Sequence, residues 1–398
     1  MNFQHRSFTN STDTFDERSE RKNMCNIAGY VGVRPAAPIL IEMIRRQQGF
    51  SGGYFTGLAT VDTGRIFSAK CRGDLDHLLL HSDAIKFEGT CGIIHSRSKG
   101  SGGDLFAHPF LGGKEETPQT AYVANGLRAK QRDDTPTAQA LFDEGYRMGQ
   151  EQGSAGYIKL KNGNAVHISD VMCQLITRHI DKGLPAWEAM KEGFFKMPSE
   201  NVGLLVERTQ SDRIFFARYN FPMFAAFDES GCCLASTPFA FLNEKARIFP
   251  IPPMSYGFVT KDSLTVLPMK APPLTVSECG CTDYQRIASA LTEELKKGKA
   301  TFGRLARTVS ANMPQTPSDC PQTPGDCPQT PGDCTQTLRD CPQSLRDCTQ
   351  TPSICKDAEQ LTHILLFDMK EHISQSEIIR PGVAQGLTAP ETLFEWKE

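Results

Sequence analysis

The chain has 398 residues, of which 39% are hydrophobic and 22% are charged, a composition typical of a globular protein. Its 43 basic and 46 acidic side chains leave a net charge of −3, which gives no electrostatic case for binding nucleic acid or an anionic membrane. No stretch approaches the ~20 apolar residues of a transmembrane helix, and the polar residues 1–23 lack the apolar core of a secretory signal, so we expect a cytoplasmic protein.

The first half of the chain predicts strands, then helices, then more strands. Residues 25–33 alternate small and apolar side chains, which indicates a buried strand, and residues 38–48 have apolar positions at helical spacing. Asp62-Thr63-Gly64 is a hairpin turn between two predicted strands. Further predicted strands lie at 92–95, 120–124, 202–207, 213–218, 223–227 and 232–235, with helical spacing at 135–152 and 169–195. This order favours α+β layers over an alternating parallel sheet.

The composition changes after about residue 283. Residues 283–306 have the pattern of a charged helix, and residues 362–373 have that of another. Between them, six heptapeptides such as PQTPGDC run from Pro314 to Cys355. Their prolines break helices, and they offer no large apolar residue for a core, so the repeat is predicted to be a disordered linker. Its flanks are predicted to form one small helical appendage that the repeat interrupts.

One of the cysteines differs from the others in its position in the sequence. Six of the 14 cysteines recur in the repeat, and the other eight form no paired Cys-x-x-Cys pattern, so we expect no metal site. Most should be small buried side chains in a reducing cytoplasm. Cys25 differs because it follows Met24. If residues 1–24 are removed, or if translation starts at Met24, Cys25 carries a free α-amine whose pKa near 8 suits it to be the base for its own thiol.

Three later segments each combine a strand or helix end with polar side chains. Gly92-Ile93-Ile94-His95-Ser96-Arg97 is followed by Ala107-His108-Pro109, Ala121 to Gly126 ends in Asn-Gly, and Ser169-Asp170 opens an apolar helix. Taken singly, Arg97 fits a surface ion pair, Asn125-Gly126 a turn, and Ser169 or Asp170 a helix cap.

Taken in order from Cys25, these segments resemble the class II glutamine amidotransferase domain. It is the glutaminase domain shared by glucosamine-fructose-6-phosphate aminotransferase and amidophosphoribosyltransferase. That family has Cys-Gly-Ile-x-Gly, Gly-x-x-His-Thr-Arg, Ala-His-Pro, Asn-Gly after a strand, and Ser/Thr-Asp before a helix. The resemblance covers residues 25 to about 266, and includes Phe216-Ala217-Arg218 and Leu234 to Thr237 as late strands.

The resemblance implies a four-layer αββα sandwich of the N-terminal-nucleophile (Ntn) hydrolase type. Together with the composition of the remaining chain, it gives an extension or propeptide at 1–24, the amidotransferase domain at 25–266, a linker and helix at 267–313, the repeat at 314–355, and a helical segment at 356–398. It also implies roles for the site residues, with no cofactor. Cys25 would attack the glutamine amide to form a thioester, and Asn125 and Gly126 would form the oxyanion hole. Arg97 would bind the α-carboxylate of glutamine, and Asp170 its α-ammonium.

Some positions depart from the family pattern. Asn26 replaces the glycine after the nucleophile, the Arg-Gly-x-Asp-Ser turn becomes residues 48–53, and Ser98 to Ser101 replaces a stretch that helps to bind the glutamine carboxylate. The nucleophile and oxyanion-hole residues are retained.

Three functions therefore stay open. The first is a glutaminase that acts alone or feeds ammonia to a separate synthase, because the residues after 266 match neither of the family's second catalytic domains. The second is a catalytically weak glutamine-binding sensor. The third is hydrolysis of another amide, such as a conjugated amino acid, although a pairing of Arg97 with Asp170 favours a free one. The sequence is also compatible with a homo-oligomer.

Overall fold

The computed structural model describes most of the chain. The described residues are 25–47, 52–98, 100–126, 133–154, 156–198, 200–219, 221–243, 245–269, 281–313, 358–375 and 393–397. The predicted extension at 1–24 and the heptapeptide repeat at 314–355 lie outside them.

Strands make up the centre of the molecule. In chain order they are β1 (Asn26–Gly32), β2 (Phe55–Asp62), β3 (Arg65–Cys71), β4 (Cys91–Arg97), β5 (Phe110–Gly112), β6 (Thr120–Gly126), β7 (Gln150–Glu151), β8 (Ile158–Lys159), β9 (Ala165–Val166), β10 (Glu200–Glu207), β11 (Arg213–Arg218), β12 (Phe224–Asp228), β13 (Gly231–Ala235), β14 (Arg247–Pro250), β15 (Ser255–Thr260), β16 (Leu264–Pro268), β17 (Ala300–Thr301), β18 (Ile373–Gln375) and β19 (Leu393–Trp396).

Helices pack on the outer faces of these sheets and form much of the C-terminal appendage. They are α1 (Ala36–Gln47), α2 (Leu75–His81), α3 (Thr135–Asp143), α4 (Ile168–Asp181), α5 (Ala186–Lys196), α6 (Cys281–Lys296), α7 (Phe302–Asn312) and α8 (Ala358–Asp368). None of the helices in the described part of the chain is long and apolar enough to cross a bilayer.

Two antiparallel sheets are stacked face to face. The first has the strand order β14-β12-β13-β1-β4-β2-β3, and the second has the order β16-β15-β11-β10-β6-β5. The first is built in part from the predicted hairpin, whose turn residues Thr63 and Gly64 both have positive φ, at 41° and 80°. A small separate sheet has the order β7-β9-β8.

Three apolar layers hold this stack together. Ile27, Ile93 and Val123 belong to the core between the sheets. A second core joins the outer face of the first sheet to α1 and α2, and a third joins the second sheet to α3, α4 and α5. This layering arises because successive side chains of a strand point to opposite faces, so each buried strand supplies two cores. The predicted αββα sandwich is confirmed.

The C-terminal appendage contains short strands as well as helices. The helices α6, α7 and α8 share one core with a sheet of order β17-β19-β18, so the two flanks of the repeat pack together as predicted. The appendage also contacts the sandwich, since Gln360 donates to the Ile251 carbonyl at 3.4 Å and Ile364 joins the core under the first sheet. The sequence predicted no strand here because each one is only two to four residues long.

The predicted helices were also too long in three places. Residues 169–195 form two helices, α4 and α5, while the pattern at 135–152 supports a helix only to Asp143. The predicted helix at 283–306 is α6 followed by a turn at Gly298, where φ is 127°. Gly183, with φ at 92°, likewise lies in the turn between α4 and α5. Glycine adopts this backbone without the steric cost that a side chain imposes.

Candidate active site

The start of β1 faces the space between the two sheets. Ile27 belongs to the inter-sheet core, whereas Ala28 belongs to the core under the helices. Because side chains alternate along a strand, Cys25 is directed to the same side as Ile27. The β1–β4 register pairs Asn26 with Ser96, which places Cys25 beside Arg97 when the register is extended by one residue.

The end of β4 contributes to the same space. Ile93 lies in the inter-sheet core and Ile94 in the helix-facing core, so alternation directs His95 and Arg97 toward the second sheet. On the opposite sheet, β6 alternates in the same way, and Asn125 therefore points back toward the first sheet. Residues from three strands converge at one end of the stack.

A cavity of about 160 Å³ opens where these strands converge. Its lining includes three of the predicted site residues, Cys25, Arg97 and Gly126. The other lining residues are His108, Ala124, Gly156, Tyr157, Ile158, His167, Ile168 and Ser169. Sites for drug-sized ligands usually occupy about 300–1,000 Å³, so this cavity suits a smaller molecule.

Asn125 is held between Cys25 and a buried histidine. Its Nδ2 donates to the Cys25 carbonyl at 2.6 Å, while its Oδ1 lies 3.2 Å from His95 Nε2. The same Nε2 lies 3.1 Å from the Ala124 carbonyl oxygen, which can only accept. His95 Nε2 must therefore carry the proton, and this fixes the amide with its oxygen toward His95 and its NH₂ group toward Cys25.

The three histidines around the cavity are neutral. Burial lowers the pKa of His95 to about 3, and burial together with neighbouring histidines and Arg97 lowers the pKa of His108 well below its usual value. The pKa of His167 falls in the same way through burial, Arg97 and Lys70. The His95 and His108 rings are in contact, with centroids 4.0 Å apart, and neither ring nitrogen of His108 has a hydrogen-bond partner among the described residues.

Two hydrogen bonds position the Arg97 guanidinium and use two of its five N–H groups. Its Nη1 donates to the Phe106 carbonyl at 3.1 Å and its Nη2 to the Tyr157 hydroxyl at 2.8 Å, while its guanidinium carbon lies 4.8 Å from the Phe55 ring centre. A guanidinium has five N–H groups, so three remain for a ligand. Gly100 adjoins this guanidinium so closely that a Cβ there would overlap Arg97 Nη2.

Asp170 is not among the residues that line this cavity, although its neighbours Ile168 and Ser169 are. The helix that was expected to start at Ser169-Asp170 is capped two residues earlier, since His167 Nδ1 accepts from the Ser169 N–H at 3.1 Å. Asp170 is thus in the third helical position, and it accepts from the Gly149 N–H at 2.8 Å and from the Gln174 amide at 2.9 Å. The predicted pairing of Asp170 with a substrate ammonium stays a prediction.

Cys25 differs from most other cysteines of the described chain. It is half-buried at the cavity, whereas Cys71, Cys91, Cys173 and Cys232 are buried. Burial raises the pKa of Cys71 to about 11 and that of Cys91 further, so these thiols stay protonated. Their environment is unsuited to nucleophilic chemistry.

The site includes residues to which the sequence analysis assigned no role. His95 and His108 lie within the Gly-x-x-His and Ala-His-Pro motifs, so these motifs could have identified both histidines as site residues. Tyr157 and His167 lie in a segment with no recognised motif, and only the fold brings them to Arg97. Within the described ranges, no group of three or more His, Cys, Asp or Glu side chains is arranged to hold a metal ion.

The sequence is similar to known glutamine–fructose-6-phosphate aminotransferases. It is 26% identical to the enzyme of Pyrococcus horikoshii over 249 residues, which are 61% of this chain and 37% of that protein. It is 24% identical to that of Bartonella quintana over 262 residues, 64% of this chain and 39% of that protein. The chain therefore matches less than two fifths of the length of these relatives. No family model matches the sequence.

The fold is similar to a solved amidotransferase. The glutamine phosphoribosylpyrophosphate amidotransferase of B. subtilis superposes with a TM-score of 0.50 at 14% identity, covering 68% of this chain and 58% of that one. The sequence similarity confirms the resemblance to the class II glutamine amidotransferase domain that the motifs predicted, and the structural similarity confirms the fold.

Proposed function

We propose that residues 25–266 form a glutaminase domain that releases ammonia from the side-chain amide of glutamine through a Cys25 thioester. The observation that carries this proposal is the hydrogen bond between Asn125 and Cys25 in a cavity that Arg97 and Gly126 also line. The names of the relatives supply glutamine as the substrate. The second sheet ends with β16 at Pro268, which supports the domain boundary.

The chemistry begins with the Cys25 thiolate. It attacks the amide carbonyl, and negative charge develops on the carbonyl oxygen. Each NH₂ group has two hydrogens, so Asn125 Nδ2 has one left for this oxygen while the other remains on the Cys25 carbonyl. The Gly126 N–H is the proposed second donor. One such donor typically contributes about 3 kcal/mol to the stability of the transition state.

The proposed base is the α-amine of Cys25, which exists only if Cys25 is the first residue. A free α-amine has a pKa near 8 and can take the thiol proton, then deliver it to the departing ammonia. A peptide bond from Met24 would turn it into an amide that cannot do so. Removal of residues 1–24 is therefore part of the proposal.

Arg97 is the proposed binding group for the α-carboxylate of the substrate. The contacts with Phe106 and Tyr157 use one N–H of each terminal nitrogen, Arg97 lines the cavity, and the planar guanidinium matches a carboxylate. The ring of Phe55 supports the guanidinium from one side. No cofactor takes part in the proposed reaction.

The relatives do not identify the acceptor of the ammonia, because this chain matches only part of their length. We propose that the domain either hydrolyses glutamine alone or passes ammonia to a separate synthase, in the cytoplasm. The similarity to amidotransferases favours this enzyme over the glutamine-binding sensor.

The proposal is tested by incubating protein that begins at Cys25 with glutamine. Glutamate and ammonia should form in equal amounts, and quenching during turnover should trap a glutamyl thioester that mass spectrometry locates on Cys25. A Cys25→Ala blank should form neither product. Absence of glutamate from the protein with Cys25 would refute the proposed function.

A further inference from the structure

The Asn125 amide can serve the oxyanion in only one of its two orientations. Its two ends have nearly the same shape, but Nδ2 donates hydrogen bonds whereas Oδ1 only accepts them. Rotated by half a turn, the side chain would present Oδ1 to the Cys25 carbonyl and to the developing negative charge, and would repel both. Resting on the proposed function, we infer that His95 is the positioning residue of the oxyanion hole, because it holds the Asn125 amide in its donating orientation.

A single N–H group of His95 carries this role. His95 Nε2 lies 3.2 Å from Asn125 Oδ1 and 3.1 Å from the Ala124 carbonyl oxygen. A carbonyl oxygen cannot donate, so Ala124 keeps the proton on Nε2, and the same proton then holds Oδ1. Because Ala124 and Asn125 are consecutive in β6, the imidazole ties the amide to the backbone of its own strand. The amide is thus held at both ends, by His95 at Oδ1 and by the Cys25 carbonyl at Nδ2.

Packing fixes the position of the imidazole. His95 is fully buried in β4, where it pairs with Ile27 of β1 on one side and with Gly57 of β2 on the other. The His108 ring lies against it, with centroids 4.0 Å apart and planes inclined by 32°. His95 therefore belongs to the first sheet while its Nε2 reaches the second. The bond sets the amide relative to Cys25, which directly precedes the strand beside β4.

The other ring nitrogen of His95 shows a cost that packing alone does not explain. Nδ1 is buried and has no hydrogen-bond partner in the described part of the chain. Burying an unpaired acceptor opposes folding, whereas an apolar side chain of similar size would avoid that penalty. The hydrogen bonds of Nε2 are what a histidine adds at this position.

His95 has no part in proton transfer. Burial lowers its pKa to about 3, so the ring is neutral at neutral pH, and its N–H is already shared between two acceptors. It is also not among the residues that line the cavity. His95 can therefore affect the rate only through the groups that it holds.

The substitution His95→Leu in protein beginning at Cys25 tests this inference. Leucine has a similar size but no donor, so kcat for glutamine should fall about tenfold, the factor that corresponds to one neutral hydrogen bond. KM should stay within about threefold, because the proposed carboxylate contact with Arg97 is unaltered. His95→Gln keeps a donor near the position of Nε2, so its kcat should stay within about threefold of that of the unmodified protein.

The matched control is His363→Leu. His363 is likewise a buried histidine whose pKa burial lowers to about 3, but it lies in α8 of the appendage and does not line the cavity. Its replacement should leave both kcat and KM for glutamine unchanged.

A double-mutant cycle separates positioning from a general effect on the fold. In protein that already carries Asn125→Ala, His95→Leu should change kcat by no more than about twofold, because the amide that it positions is gone. If His95→Leu does not fold, His95→Asn, whose side chain stops short of Nε2, replaces it with the same expected factors. A structural role would lower kcat equally in both backgrounds. That result, or a kcat of His95→Gln as low as that of His95→Leu, would overturn the inference.

The two proposals fail in different ways. If protein beginning at Cys25 with its own His95 forms no glutamate, the proposed function is wrong and this inference falls with it. If that protein is active and His95→Leu is equally active, only the positioning role is wrong and the glutaminase proposal stands.

Discussion

Asn125 Nδ2 lies 2.6 Å from the backbone carbonyl oxygen of Cys25, although the two residues are 100 positions apart in the sequence. Cys25 directly precedes the central strand of the first sheet, and Asn125 is the penultimate residue of a strand of the second. Their contact therefore exists only when both sheets are stacked in the observed register.

The first prediction concerns the N-terminus. Protein beginning at Cys25 should hydrolyse glutamine, whereas protein that retains residues 1–24 should be nearly inactive, because an acylated amine cannot take the thiol proton. The measurement is ammonia release together with the intact mass of each preparation. An uncleaved chain that turns over as fast as the trimmed one would contradict the proposed base.

The second prediction concerns the oxyanion hole. Asn125→Ala should lower kcat about 10²–10³-fold with little change in KM, because the lost donor acts on charge that develops in the transition state. The matched control is Asn312→Ala, which removes an amide that bonds only to the Thr308 carbonyl within its own helix. Equal kcat values for the two variants would remove Asn125 from the mechanism.

The third prediction concerns the position of Arg97. Gly100→Ala should displace the guanidinium, since the added Cβ would overlap Nη2, and should raise KM for glutamine more than it lowers kcat. Gly149→Ala is the control, because a Cβ there meets nothing nearer than 3.4 Å. If both variants keep the original KM, then Arg97 does not bind the substrate carboxylate.

The fourth prediction separates two roles for Asp170. Its carboxylate bonds to Gly149 and Gln174, so Asp170→Asn should lower the free energy of unfolding by about 1–3 kcal/mol. Because the sequence predicts that the same carboxylate pairs with the α-ammonium of glutamine, the substitution should also raise KM for glutamine about tenfold. Chemical denaturation and steady-state kinetics provide the two readouts. A KM for glutamine equal to that of the unmodified protein would remove Asp170 from substrate binding.

The fifth prediction concerns acid stability. His363 of α8 is buried against Phe302, with ring centroids 4.4 Å apart, and burial lowers its pKa to about 3. The unfolded histidine, with a pKa near 6.5, binds the proton that the folded one excludes. Its contribution to stability is complete above pH 6.5 and is lost as the pH falls toward 3.

Replacing His363 by phenylalanine should flatten that dependence. Between pH 7.5 and pH 5, the free energy of unfolding of His363→Phe should fall by about 2 kcal/mol less than that of the unmodified protein. The comparison at pH 7.5, where histidine is neutral in both states, measures the packing change alone. Parallel curves for the two proteins would show that His363 does not exclude the proton.

Much of the fold was decided by local patterns. The Asp62-Thr63-Gly64 turn, the alternation on β6 and the helical spacing of α1 are each set by neighbours in the chain, and the structure has all three. The ordered motifs from Cys25 to Gly126 also predicted the αββα sandwich through family resemblance. Because a strand fixes the side on which each residue lies, the motifs placed Cys25, Arg97 and Gly126 at one opening.

The burial and hydrogen-bond partners of the site residues depend on the tertiary structure. The cap at His167 depends on a side chain that also packs against Tyr157, and it places Asp170 in the third position of α4, where its carboxylate bonds to Gly149 and Gln174. The neutral histidines arise from burial by elements distant in the sequence, and the strands of the appendage pair across an interval of about 90 residues. Local sequence fixes side-chain spacing, but burial and hydrogen-bond partners are properties of the assembled layers.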